Sequence, residues 1–222
     1  MSVKVTFEEV KNSEEIKTYI KQADASLEAL GYTEHSFAHA AKCAATAGDL
    51  LQELGYGQRE VELARIAGYM HDIGNVVNRS DHAQSGALMA FRLLDKMGMD
   101  PEDAAAVVTA IGHHDEATAF PVNAVAAALI LADKTDVRRS RVRNKETIYS
   151  DIHDRVNYAV EKADLTLDLD TREITLHLTV DTAICSVLDY FEIFMQRTIL
   201  SRRAAGFLGL SFKLNINNNG VL

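Results

Sequence analysis

The sequence predicts a mainly α protein, a helical bundle over residues 1–161 with a small β-β-α-β (α+β) unit, residues 162–222, packed on it. Three observations carry this expectation. Up to about residue 161, apolar residues recur at three- and four-residue intervals between capping residues. From Leu165 the period changes to two: Leu165, Leu167 and Leu169, then Ile174, Leu176, Leu178 and Val180, flank Asp170-Thr171-Arg172 as a hairpin would. No stretch rich in Pro, Gly or Ser separates the two regimes, so nothing marks them as independent.

Each element has a local reason. Thr6-x-x-Glu9 spells a capping box, and Ser13-Glu14-Glu15 opens a second helix running to Gly31 with Ile16, Ile20, Ala23, Leu27 and Leu30 inward. Thr33 is a candidate cap for a third helix that carries His35 and His39 on one face and ends at Gly55. A fourth helix from about Gln58 buries Leu63, Ile66, Ala67 and Met70 and delivers His71-Asp72 at its end, where Gly74 can take a left-handed conformation and stop it. After the polar break 75–80, Ser80 or Asp81 caps a helix with His82 in its first turn and Leu88, Met89, Phe91, Leu93, Leu94 and Met97 inward. Asp100-Pro101-Glu102-Asp103 starts the next, with a capping Asp, a proline whose missing N–H costs nothing, and acids at the positive end of the dipole; it leads to His113-His114. The apolar run Val125 to Ala132 delivers Asp133. Ser150 caps a helix through Tyr158, a long helix spans about 182–205, and Leu210, Phe212, Leu214 and Ile216 alternate in a last strand.

Composition narrows the classes. A net charge of −9 leaves no overall basic footprint for general nucleic-acid or anionic-membrane binding. No stretch is apolar and long enough to span a bilayer, and the first residues lack a signal-like apolar core. Cys43 and Cys185 fall inside apolar helical patterns, as buried thiols in a reducing compartment do, so a cytoplasmic protein is expected.

His39, His71-Asp72, His82, His113-His114 and Asp133 each fall at or near the end of a separate helix, which is how a bundle gathers ligands at one pole. Imidazole with carboxylate suits Mn, Fe or Zn, and so many groups exceed the needs of one catalytic ion with an open position, which points to two. Adjacent helix positions diverge, so one of His113 and His114 is chosen as a ligand, namely His114. His153 and His177 are expected in a capped helix and on a polar strand face, away from chemistry.

The order His39, His71-Asp72, Asp133 resembles the HD-domain superfamily of metal-dependent phosphohydrolases over about residues 35–143. With His82 and His114 added, it is similar to the two-metal subset, which includes HD-GYP cyclic-dinucleotide phosphodiesterases and diadenosine-tetraphosphate hydrolases. The resemblance implies that Asp72 bridges two metals, that His39, His71 and Asp133 complete one site and His82 with His114 the other. It departs from HD-GYP proteins in Asn75, where a phosphate-contacting lysine would stand, and in lacking Gly-Tyr-Pro after His114. The implied activity is hydrolysis of a phosphoester or phosphoanhydride in a small phosphorylated compound such as a nucleotide, through a metal-bridged water. A regulatory module that binds metal and nucleotide without turnover is the alternative.

The basic run Lys134, Arg138, Arg139, Arg141, Arg143 and Lys145 offers guanidinium forks for further phosphate groups, so Lys134, Arg138, Arg139 and Arg141 join His113 as expected substrate contacts. His35, His113 and Lys134 are the candidates for the leaving-group acid. The carboxy-terminal unit shows no chemistry of its own, and its exposed sheet edge suits pairing of two copies.

Overall fold

The structure is a computed structural model that describes residues 4–143, 148 and 151–222; among these lie nine α-helices and one four-stranded sheet. α1 (Phe7–Asn12) opens with the Thr6/Glu9 capping box and α2 (Glu14–Ala29) with the Ser13 hydroxyl accepting from Ile16 N–H. α3 (Phe37–Glu53) and α4 (Gln58–Met70) form an antiparallel pair. Gly68 sets how close they come: a Cβ there would lie 2.7 Å from the Ala44 nitrogen. α5 (His82–Lys96) and α6 (Pro101–Gly112) follow, and α7 (Ala124–Lys134) runs through the middle, packed on α3, α4, α6 and α9 (Val187–Phe207). Every residue of α7 from Val125 to Lys134 is buried. Its alanines let neighbours approach on most sides, while Leu129, Ile130 and Leu131 are fully buried, worth about 1.5–3 kcal/mol each by area removed from water.

α8 (Ile152–Ala159) leads without a break into β1 (Val160–Asp168), which pairs antiparallel with β2 (Glu173–Val180), Leu165 opposite Leu176. β3 (Ser211–Ile216) lies parallel to β2, so α9 is a crossover, and Asn217-Asn218 turn the chain into the short β4 (Asn219–Gly220). Ile174, Leu176, Leu178 and Val180 of β2 and Phe212, Leu214 and Ile216 of β3 are buried in the same core as the helices. The expected mainly α architecture with a carboxy-terminal β-β-α-β unit is present, extended by one short strand.

Several local expectations are corrected. α3 begins at Phe37 with Ser36 as its cap, not at Thr33, because the Ser36 hydroxyl accepts from Ala38 N–H. His35 therefore stands ahead of the helix rather than on its face. Gly74 is not left-handed; it sits in a 3-10 turn (Ile73–Val76) and is needed for room, since a Cβ there would fall 2.0 Å from the His82 carbonyl oxygen. Leu88 and Phe91 of α5 are exposed, and Ala83, Ala87, Ala90, Leu93 and Leu94 make the inward face, small residues allowing close packing. Leu30, just past the end of α2, is exposed too. α9 begins at Val187 under a Ser186/Asp189 capping box, later than expected. Asp151 caps α8, accepting from His153 and Asp154 N–H; Ser150 and Lys145 lie outside the described residues.

Candidate metal centre

His39 in the first turn of α3, His71-Asp72 at the end of α4, His82 at the start of α5, His114 just past α6 and Asp133 in the last turn of α7 converge on one point. Asp72 stands at the centre. Its Oδ2 lies 3.0 Å from His71 Nε2 and 3.6 Å from His39 Nε2, and its Oδ1 lies 3.6 Å from His82 Nε2 and 3.9 Å from His114 Nε2. Asp133 Oδ1 closes the first group, 3.4 Å from His39 Nε2 and 3.8 Å from His71 Nε2. His35 Nε2 sits 4.0 Å from Asp72 Oδ2.

All five imidazoles around Asp72 are held the same way. Nδ1 of His35 donates to Thr33 oxygen (2.7 Å), of His71 to Gly68 oxygen (2.8 Å), of His82 to Arg79 oxygen (3.0 Å), of His114 to Ile111 oxygen (2.6 Å) and of His39 to the Asp136 carboxylate (2.8 Å). Carbonyl and carboxylate oxygens only accept, so each ring's proton is on Nδ1 and its lone pair is on Nε2, aimed inward.

That tautomer makes two contacts informative. Nε2 of His39 and His71 are 3.3 Å apart, and Nε2 of His82 and His114 are 3.2 Å apart. Two lone pairs at that distance repel, and Asp72 Oδ2 is buried with no hydrogen-bond partner. Inward lone pairs and an orphaned carboxylate oxygen are what a cation satisfies, so the residues present fit divalent metal. His39, Cys43, His71 and Asp133 offer donor atoms within 4.8 Å of one another, as do His71, Asp72 and His114. The Cys43 sulfur is nearly equidistant from the two nitrogens of His39, 3.7 and 3.6 Å, beside the ring rather than at either nitrogen alone.

The electrostatics agree. Burial, reinforced by His71 and Lys134, pushes His114 down to about 3; burial also holds His35 well below and His82 below the usual imidazole range. Burial opposes charge on Asp72, but the His71 and His35 imidazoles outweigh it and keep the carboxyl well below its usual range; at Asp133 the outweighing neighbour is Lys134. His71 goes the other way: burial lowers it, and the neighbouring Asp72 carboxylate more than compensates, leaving it above the usual imidazole range.

A cavity of about 560 Å³ opens over the centre. His35, Asp72, His82, His114, Asp133, Lys134 and Arg141 line it. His113 does not, and its Nδ1 is buried without a partner. Among the described residues of the basic run, Lys134 and Arg141 line the cavity, and each cation has an internal partner. Arg138 pairs with Asp136, Arg139 donates to Tyr158 oxygen, and Arg143 pairs with Asp24. Arg141 reaches the cavity wall but spends Nε on Glu34 oxygen and Nη1 on Asp136 oxygen, both at 2.9 Å.

Several contributors escaped the sequence reading. Asp136, buried behind His39, takes Lys42 and Arg138 as further partners; burial opposes its charge, and His39 and Arg141 hold its carboxyl far below the usual range. Asn75 donates to both Asp72 oxygen (2.9 Å) and Asp72 Oδ1 (3.0 Å), fixing the central carboxylate. Glu116 links Lys134 (3.4 Å) to Arg197 of α9 (2.6 Å), and Ile193, Phe194 and Gln196 complete that wall with His153 and Asn157 of α8. Only Asp136 had a legible signal, an acid one turn beyond Asp133 at the end of an apolar helix.

The model of the HD domain family matches residues 34–157, which take in every one of these imidazoles and acids. No curated protein matches the chain.

Proposed function

The chain belongs to the HD domain family, most of whose members are metal-dependent hydrolases, and from that premise we propose that it hydrolyses a phosphoester or phosphoanhydride of a small phosphorylated compound such as a nucleotide. The inward lone pairs on both sides of Asp72 carry this reading. His39, His71, Asp133 and Asp72 Oδ2 would hold one divalent ion, of Fe, Mn or Zn, and His82, His114 and Asp72 Oδ1 a second. When bound, such ions lower the pKa of water toward neutrality and offset charge on phosphoryl oxygens.

The chain's own groups have separable tasks. Asp72 is fixed by Asn75, so its two oxygens face the two halves of the centre without a rotameric search. Asp136 locks His39 in the tautomer that presents Nε2. His35, its Nδ1 proton held by Thr33, presents Nε2 to the cavity and can accept and return a proton there. Lys134 Nζ, 2.7 Å from Asp133 Oδ2, keeps that carboxylate charged and its other oxygen turned to the centre. Ile193 and Phe194 add apolar surface to the cavity lining, suited to an organic group esterified to the phosphate. We propose further that residues 162–222 form a structural unit whose α9 completes this cavity.

The test is phosphate release from a panel of nucleotides, cyclic dinucleotides and aryl phosphates with added Mn²⁺ or Fe²⁺. Release that disappears in His71→Ala and Asp72→Ala supports hydrolysis. Metal-dependent nucleotide binding without release on any substrate would mark a regulatory module instead.

A further inference from the structure

A charge audit of the cavity singles out one residue. Among the described residues, four Lys or Arg side chains line it: Arg79, Lys134, Arg141 and Arg197. Three are committed to carboxylates: Lys134 to Asp133 and Glu116, Arg197 to Glu116, and Arg141 to Asp136 at 4.0 Å beside its two backbone acceptors. Arg79 has no carboxylate within 4 Å among the described residues. Its Nη1 reaches only the Asn75 side-chain oxygen at 3.3 Å and His82 Nε2 at 3.4 Å, and the guanidinium lies 5.6 Å over the Tyr32 ring.

The Tyr32 ring offers the guanidinium a cation–π neighbour, and no carboxylate among the described residues takes its remaining N–H donors. The contact with His82 Nε2 is a donor resting on the lone pair that faces Asp72 Oδ1. If that lone pair is taken by a cation, as the reading above requires, Nη1 is released while staying beside the centre. We infer that Arg79 binds oxygens of the phosphoryl group held at the centre, and that the group it selects is a terminal phosphoryl rather than a diester. A terminal phosphoryl has three free oxygens and a second negative charge, enough to meet both halves of the centre and a guanidinium fork; a diester has two free oxygens and one charge. This rests on the hydrolase reading but assigns a residue and a substrate class that the ligand pattern does not.

The experiment uses the full chain loaded with Mn²⁺, with metal content measured for each variant, and titrates inorganic phosphate and dimethyl phosphate by calorimetry. Arg79→Ala should keep its metal and bind inorganic phosphate ~10- to 100-fold more weakly, as loss of a charge-assisted hydrogen bond implies. Arg79→Lys should recover part of the loss, and dimethyl phosphate should bind weakly and alike in all three proteins. Unchanged phosphate affinity in Arg79→Ala, or loss of metal with it, would overturn the assignment. An equal weakening of both ligands would overturn the choice of a terminal phosphoryl. A wild-type chain that takes up no Mn²⁺ would overturn the hydrolase reading itself.

Discussion

A histidine pinned at Nδ1 by an oxygen that can only accept has one free lone pair, and its direction is set by the backbone that supplies the oxygen. Four of the five imidazoles here are pinned by carbonyls two or three residues back in the chain, at Thr33, Gly68, Arg79 and Ile111. His39 alone depends on a distant side chain, Asp136. Asp136→Asn should therefore weaken metal binding by about 10- to 100-fold, the usual effect of losing such a partner, read by titration with Mn²⁺ on folded protein. Asp72→Ala should lose more, because one substitution removes an oxygen from each half of the centre; metal analysis showing full occupancy would refute the bridging role. The residues that converge on Asp72 were legible because ionisable residues at helix ends are conspicuous against apolar runs. Arg197 and Glu116 were not, since nothing local in either segment points to a partner so far along the chain.

At the scale of elements, helix ends carry the converging imidazoles and acids, so the spacing of helices fixes the geometry of the cluster. Gly74 lets the turn after Asp72 touch the start of α5, where His82 stands. Gly74→Ala should cost about 2–3 kcal/mol in urea unfolding, as overpacking does, and should disturb His82 more than His39. Caps and periodicity made most boundaries readable, from Thr6 and Ser13 to Asp100. The reading failed where close approach replaced bulk: α5 packs through alanines while Leu88 and Phe91 face outward, and hydrophobicity alone points to the larger side chains. Gly74 illustrates the same limit, because a glycine's need for room depends on what lies opposite it.

For the molecule as a whole, α9 ties the carboxy-terminal sheet to the bundle and walls the cavity. Tyr190, buried on α9 against Phe194, has its phenol pushed up by burial. A raised folded-state pKa means stability that is complete below the unfolded value near 10 and falls as pH rises beyond it. Tyr190→Phe should remove about 1.4 kcal/mol per pH unit of that alkaline slope, measured by urea unfolding between about pH 9.5 and 11. Removing metal should act in the opposite sense to binding: at a free metal concentration 100 times Kd, bound ion adds about 2.7 kcal/mol, so chelation should lower Tm in wild type and not in Asp72→Ala. The most direct test is anomalous diffraction from crystals grown with Mn²⁺. Two peaks about 4 Å apart are expected, with Asp72 between them, one beside His39, His71 and Asp133 and the other beside His82 and His114. No peak near Asp72, with the facing imidazoles turned apart, would contradict the account.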